Sequence, residues 1–248
     1  MIRWISLFLC VWIIGITVSL GQSSHEADEA YLRGDFARAI DLYEGFIQNN
    51  VYGEVNYTIY FNLGHAYSQV GNWGKAMLNY QRAYRLNPRD GDIITRINML
   101  RTVRPDGFVD DTRLWAQITQ LTGLFTLWEL EIIALLIWSI TWMLGMAWWR
   151  YQSYRRYLRY PLVMMFFITV IVVSLTVSRV HYESSRPLAI VTSPTTDVLS
   201  GAGIDYLTLF RLSDGAEVRI LEQTGIWVKI ELPDGRMGWV RISTITII

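Results

Sequence analysis

The sequence predicts a multi-domain protein of mixed α and β structure, with α-helical repeat hairpins, a two-helix transmembrane hairpin and a small β-barrel. The 248-residue chain is 52% hydrophobic and only 18% charged, and its apolar residues concentrate in separate blocks. A short motif recurs in the N-terminal part, which is typical of stacked helix pairs. Residues 186–248 instead alternate apolar and polar residues between turn residues, which predicts short strands.

Composition excludes several classes of function. The chain has 22 basic and 22 acidic residues, whereas a nucleic-acid partner would favour a basic excess. It has one cysteine, Cys10, and its three histidines are not in ligand spacing, so we expect no disulfide and no metal centre. Phosphate-binding loops and nucleophile motifs are missing from the sequence. We therefore predict a protein without catalytic residues or a cofactor.

The N-terminal segment, residues 1–21, has the parts of an export signal. Arg3 precedes an apolar stretch over residues 4–20, and Gly21 provides a small residue at its end. This pattern is typical of a secretory signal peptide cleaved after Gly21. An uncleaved N-terminal anchor is the alternative, and the sequence leaves the choice open.

Two later blocks, residues 132–149 and 161–178, predict transmembrane helices. The first has no charged residue in 18 positions, which as a helix spans roughly 27 Å, enough for a bilayer core. The second is equally free of charge and rich in Val, Ile and Phe. Both therefore predict the lipid bilayer as a partner. Residues 106–131 form a linker in which residues 114–128 have helical apolar spacing; they predict an interfacial helix or packing against the preceding domain.

The loop between the spans, residues 150–160, predicts the topology. It contains four arginines and no acidic residue, and such loops stay in the cytoplasm. Both soluble parts of this multi-pass protein are then extracytoplasmic. The topology-determining arginines are Arg150, Arg155, Arg156 and Arg159.

The repeat lies in the first soluble part, residues 22–105. Residues 34–43 align with residues 71–80 at an offset of 37. Residues 57–90 resemble the tetratricopeptide repeat family, and a further helix over residues 93–103, capped by Asp90 or Asp92, is predicted to close the stack. The residues that carry this resemblance are Tyr60, Leu63, Gly64, Tyr67, Ala76, Tyr80, Ala83 and Pro88.

The tetratricopeptide resemblance implies a concave surface that binds a peptide or a partner protein. Ordinary surface exposure or packing between helices is the alternative for each candidate residue. Two repeats are a short stack, so we expect support from the capping helix, a membrane-proximal helix or a partner. The candidate groove residues are Asp28, Tyr31, Phe61, His65, Ser68 and Gln69.

The second soluble part, residues 186–248, predicts a small barrel. Strands are predicted over residues 188–191, 217–221, 226–232 and 237–242, with a Pro-Asp-Gly turn at residues 233–235. The segments 198–203, 212–218, 227–230 and 234–240 resemble the bacterial SH3-like domain family. That resemblance implies a groove for a peptide or a wall glycan, lined by Tyr206, Trp227 and Trp239. Placement of both tryptophans in the core is the alternative.

The order of these parts, together with residues 62–71, makes the whole chain similar to the Bat aerotolerance operon protein E family. This resemblance implies a scaffold in the bacterial plasma membrane, linked to stress or aerotolerance. It also implies membrane proteins with von Willebrand A domains, and a MoxR-type ATPase, as neighbours. The alternative function is a peptidoglycan-binding module of the cell envelope that acts through the SH3-like domain.

Overall fold

The computed structural model describes residues 21–50, 55–103 and 126–248. The apolar stretch over residues 4–20 and most of the predicted interfacial helix therefore lie outside the described residues. The helices are α1 (Gly21–Leu32), α2 (Phe36–Asn49), α3 (Tyr57–Gln69), α4 (Trp73–Leu86), α5 (Gly91–Val103), α6 (Leu127–Arg150) and α7 (Arg155–Ser185). The strands are β1 (Leu188–Val191), β2 (Thr195–Leu199), β3 (Thr208–Ser213), β4 (Glu217–Thr224), β5 (Trp227–Glu231), β6 (Met237–Arg241) and β7 (Ile245–Ile247).

The two helix pairs α1–α2 and α3–α4 turn in the same way. Gly34 and Gly71 have φ angles of 78° and 76°, which glycine adopts without the penalty that a Cβ would bring. An Asx residue follows each glycine and caps the next helix, as Asp35 and Asn72 accept hydrogen bonds from the backbone N–H three residues on. The sequence repeat is thus a repeat of one turn and one cap.

Equivalent side chains fill the core of both pairs. Tyr43 and Tyr80 are 0% and 1% exposed. Gly64 lets helix α3 approach α4, since a Cβ at this position would lie 2.9 Å from the ring of Tyr80. Apolar burial of this kind supplies most of the driving force for such a stack.

Helix α5 closes the stack, as predicted. The side chain of Asp90 accepts hydrogen bonds from the backbone N–H groups of Asp92 and Ile93, at 2.9 and 3.3 Å, which fixes the start of the helix. Three apolar residues of α5 are then buried against the rest of the stack: Ile93, Ile97 and Leu100.

Helices α6 and α7 form the apolar hairpin. The segments Trp128–Arg150 and Gln152–His181 are long and apolar enough to cross a membrane. In the most apolar 18-residue stretch of each segment, 0% and 6% of the residues are buried within the protein. The hydroxyls of Thr141 and Thr169 join the two helices at 2.9 Å. The hairpin therefore presents its apolar side chains outward rather than to a protein core.

Both apolar helices are longer than the predicted spans. Helix α6 begins at Leu127 because Thr126 and Glu129 form a capping box. Helix α7 begins at Arg155 and continues through Pro161, so half of the predicted loop is helical and only residues 151–154 connect the helices. A proline near the start of a long helix removes only one backbone hydrogen bond, so α7 continues through Pro161.

The C-terminal part is a seven-stranded antiparallel sheet in the order β3-β2-β6-β5-β4-β1-β7. The four predicted strands appear as β1, β4, β5 and β6. Strands β2, β3 and β7 were not predicted; the first three residues of β2 are all polar and β7 has only three residues. The turn predicted at residues 233–235 is present, with Gly235 at φ 87°.

The barrel packs directly on the helical stack, through α4 and β1. Ile190 of β1 is 0% exposed and belongs to the apolar core of the helices. The short stack therefore takes its support from α5 and, in addition, from the barrel. The sequence alone did not indicate this second source of support.

Candidate functional site

Tyr31 and His65 form the centre of the candidate groove. The hydroxyl of Tyr31 lies 2.7 Å from Nδ1 of His65, and their rings meet edge to face with centroids 5.6 Å apart. Phe36 completes an aromatic trio, at 5.9 Å from Tyr31 and 6.1 Å from His65. The first and second repeats therefore meet through a polar pair set among aromatic rings.

Gln69 and Ser68 extend this group along α3. The side-chain amide of Gln69 lies 3.2 Å from Nε2 of His65. Ser68 donates to the backbone carbonyl oxygen of His65 at 2.7 Å, so its hydroxyl is engaged in its own helix. Gln69 is exposed and is thus the group best placed to meet a partner.

Arg96 is a neighbour that sequence reasoning missed. Burial lowers the pKa of His65, and the charge of Arg96 lowers it further. Burial raises the pKa of Tyr31, with Arg96 opposing the shift. The amide nitrogen of Gln69 is a donor, so it matches a neutral imidazole that accepts at Nε2 and donates its Nδ1 proton to the Tyr31 hydroxyl oxygen. Helix α5 occupies the position in the sequence where a third repeat would begin. That position could have indicated that a residue of α5, such as Arg96, lies near the groove.

The side chains of Asp28 and Phe61 contact residues inside the helical stack. Asp28 accepts hydrogen bonds from the hydroxyl of Tyr43 and from Asn62, the latter at 3.4 Å. The ring of Phe61 lies 5.7 Å from that of Tyr80. The structure thus groups Tyr31, His65 and Gln69 at the surface, and places the remaining candidates behind or beside them.

The barrel tryptophans lie on its outer face. Trp227 and Trp239 are both half-buried, while Val228, Ile230 and Val240 between and beside them are buried. This alternation follows from the period of two along a strand. Both tryptophans are therefore partly covered and partly open to solvent, on the opposite side of their strands from the buried aliphatic residues.

Cationic side chains border the two tryptophans. The guanidinium of Arg241 lies 5.4 Å from the ring centroid of Trp227, a cation–π distance. Lys229 is paired with Trp239 across β5 and β6. The outer face of these strands therefore combines aromatic surface with positive charge.

Tyr206 occupies the loop between β2 and β3. It is 54% exposed, and its ring covers the backbone of Gly201, where a Cβ would lie only 2.5 Å from the ring. Exposed apolar side chains accompany it: Ile204, Leu207 and Leu209. The loop thus presents an apolar surface that depends on glycine at position 201.

Glu217 joins the barrel to the helical stack. It is 8% exposed, and it accepts hydrogen bonds from Arg101 at 2.8 and 3.0 Å and from the amide of Gln81. Asp214 accepts a further hydrogen bond from the backbone N–H of Gly74 at 3.3 Å. A bidentate pair with a third donor satisfies a buried carboxylate.

The helical stack and the barrel contact the two ends of the apolar hairpin. Arg89, after α4, forms an ion pair with Glu129 in the first turn of α6. Arg186, after α7, forms an ion pair with Glu231 of the barrel at 3.2 Å. The start of α6 is therefore joined to the helical stack, and the segment after α7 is joined to the barrel.

The four candidate topology arginines lie at the other end of the hairpin. Arg155 donates to the carbonyl oxygen of Trp148 at 3.2 Å, and its guanidinium lies 5.0 Å from the Trp148 ring centroid. Arg150, Arg156 and Arg159 are exposed. Within the described ranges, no group of three or more His, Cys, Asp or Glu residues is arranged to hold a metal ion.

Family comparisons agree with both soluble parts. The tetratricopeptide repeat model matches residues 57–90, and the bacterial SH3 domain model matches residues 194–246. The chain is therefore a multi-domain protein with a tetratricopeptide repeat and a bacterial SH3 domain, together with two apolar helices able to span a membrane. No curated protein matches the chain.

Two solved structures show weak similarity. An NlpC/P60 family protein from Bacillus cereus ATCC 10987 is 21% identical over 29% of this chain and 23% of its own length, with a TM-score of 0.22. The chain thus spans about a quarter of that protein. A putative protein binding protein from Bacteroides ovatus ATCC 8483 is 14% identical over 66% of this chain and 88% of its own length, with a TM-score of 0.27.

Proposed function

We propose that this chain is a membrane-anchored scaffold that holds a partner protein in its tetratricopeptide groove. The observation that carries the proposal is the cluster of Tyr31, His65 and Gln69, in which hydrogen-bonding groups reach the surface of a repeat stack. Repeat stacks of this kind bind extended segments of other proteins. The apolar hairpin then fixes the complex at the membrane.

The proposed topology places both soluble domains outside the cytoplasm of a bacterial cell. Its support is the pair of contacts Arg89–Glu129 and Arg186–Glu231, which bring both ends of the hairpin to the same soluble unit. The four arginines of residues 150–159 lie at the opposite end, where positive charge favours the cytoplasm. Helices α6 and α7 cross the plasma membrane in this arrangement.

The proposed partners follow from the resemblance to the Bat aerotolerance operon protein E family. They are membrane proteins with von Willebrand A domains, in a complex with a MoxR-type ATPase that serves stress tolerance or aerotolerance. The support for this assignment is the order of the domains along the chain. We propose no catalytic role for the chain itself.

Affinity capture tests the scaffold. The tagged full-length protein is isolated from its native membranes in mild detergent, and co-purifying proteins are identified by mass spectrometry. We expect von Willebrand A proteins with the unmodified protein and with His25→Ala, an exposed histidine of α1. We expect their loss with His65→Ala/Gln69→Ala. Equal capture by all three proteins would overturn the groove assignment.

A second candidate function is binding of peptidoglycan by the SH3 domain. The outward position of Trp227 and Trp239 beside cationic side chains favours it, since exposed aromatic faces stack on sugars and peptides. Sedimentation of the full-length protein with purified peptidoglycan tests it. Trp239→Ala should abolish sedimentation while His65→Ala leaves it unchanged; no sedimentation of the unmodified protein would exclude this function.

A further inference from the structure

The arginines between α6 and α7 have no acidic partner among the described residues. The sequence contains four arginines over residues 150–159 and no acidic residue from 132 to 182. In the described part of the chain none of the four forms an ion pair, whereas Arg186, Arg211 and Arg236 do. A concentrated positive charge without an internal partner has its counter-charge outside the protein.

The arginines divide into one that orders the connection and three that face outward. Arg155 is held by the carbonyl oxygens of Trp148 and Trp149, at 3.2 and 3.5 Å. Arg156 and Arg159 lie three residues apart in the first turns of α7 and therefore on neighbouring positions of one helix surface. Arg150, Arg156 and Arg159 are exposed, and the guanidinium groups of Arg150 and Arg159 each lie 5.8 Å from the ring centroid of the tyrosine that follows them.

Neighbouring tyrosines indicate where these arginines lie relative to the lipid headgroups. Four tyrosines of the same segment are between 55% and 76% exposed, and tyrosine at the end of a membrane helix lies at the level of the lipid headgroups. The arginines alternate with them along the chain, so they reach the same level. The four tyrosines are Tyr151, Tyr154, Tyr157 and Tyr160.

We propose that Arg150, Arg156 and Arg159 bind the phosphate groups of anionic phospholipids, such as phosphatidylglycerol, in the leaflet that faces this connection. A guanidinium offers paired N–H donors that match two phosphate oxygens. A zwitterionic lipid compensates its phosphate with its own cation, whereas an anionic lipid leaves the charge to the protein. Arg155 positions the connection through Trp148. The inference rests on the proposed insertion of α6 and α7.

Native mass spectrometry of the full-length protein in mild detergent tests this inference. Phosphatidylglycerol and phosphatidylcholine with identical acyl chains are added in equal amounts, and bound lipids are counted. We expect a several-fold preference for phosphatidylglycerol, strongly reduced by Arg156→Gln/Arg159→Gln and reduced less by Arg156→Lys/Arg159→Lys, which keeps the charge but loses the paired donors. Arg211→Gln/Arg236→Gln removes two arginines of the barrel and should leave the preference unchanged.

Two further measurements separate the alternatives. Flotation with vesicles of the same lipids reports membrane insertion: parity of the two lipids with normal flotation overturns the headgroup inference alone. Failure of the unmodified protein to float overturns the insertion and the inference with it. Displacement of the lipid by millimolar inorganic phosphate would show that the arginines bind free anions, which also overturns the lipid assignment.

Discussion

The carboxylate of Glu217 in the barrel and the guanidinium of Arg101 in helix α5 form a bidentate pair, with N–O distances of 2.8 and 3.0 Å. The two residues are 116 positions apart. Their side chains are 10% and 27% exposed, so the pair lies largely out of water. The contact joins the tetratricopeptide stack to the SH3 domain as one soluble unit.

Arg101→Ala should destabilise this unit because it leaves the buried Glu217 carboxylate with Gln81 alone. Loss of one partner from a buried ion pair costs about 3 kcal/mol. We expect a lower unfolding midpoint of the full-length protein in detergent, measured by chemical denaturation. Arg211→Ala, which breaks the exposed pair with Asp197, is the control and should change the midpoint little. Equal midpoints for both variants would show that the pair adds no stability.

Gly74→Ala should weaken the same interface by overpacking. A Cβ at this position would lie 2.8 Å from the carbonyl oxygen of Val191 and 3.0 Å from Cα of Thr192. Backbone atoms cannot rotate away, so the barrel must shift, at a cost of about 1–3 kcal/mol. Gly91→Ala, where a Cβ meets nothing within 4 Å, should not destabilise. Denaturation midpoints of the two variants decide between these outcomes.

His65 should make stability depend on pH. Its pKa is lowered from the ordinary 6.5 by burial and then by Arg96, so the unfolded chain binds the proton more tightly than the folded one. The stabilisation from the neutral imidazole is complete above about pH 6.5 and is lost as pH falls toward the folded pKa.

The measurement is the denaturation midpoint at about pH 7.5 and about pH 5.5. We expect the unmodified protein to lose more stability on acidification than His65→Gln does. His25→Gln serves as the matched variant, because His25 is exposed beside Glu29. If His65→Gln keeps the full pH dependence, the titration belongs to another group.

Tyr43→Phe and Tyr80→Phe should differ although the residues are equivalent in the repeat. The hydroxyl of Tyr43 donates to Asp28, and a hydrogen bond to a charged group contributes about 1.5–3 kcal/mol. The buried hydroxyl of Tyr80 has no charged acceptor among the described residues and has the neutral Ser68 side chain beside it, so its removal should cost less. Thermal or chemical unfolding of the two variants, compared side by side, measures the difference; equal losses would contradict this account.

The candidate groove stays a prediction. The resemblance to the tetratricopeptide family implied Tyr31, His65 and Gln69 as groove residues, and the structure brings these three side chains together. The resemblance did not show that Asp28 bonds to Tyr43 or that Phe61 packs on Tyr80. Both outcomes depend on how far the side chain of a neighbouring helix reaches, which spacing does not encode.

The sequence by itself determined the local features of this protein. Gly34 and Gly71 mark the repeat turns, the uncharged blocks mark the two apolar helices, and alternation marks β1, β4, β5 and β6. Each of these is governed by neighbours within a few residues, through backbone conformation or the period of one helix or strand.

Only the tertiary structure decided how the parts meet. The Glu217–Arg101 pair, the contact of Gly74 with Val191 and the field of Arg96 at His65 join residues that are distant in the chain. The edge strands β3 and β7 likewise depend on partners that close the sheet. Such contacts depend on which surfaces of the folded elements pack together. The spacing of apolar and polar residues along the sequence does not specify this, because many surfaces have the same spacing.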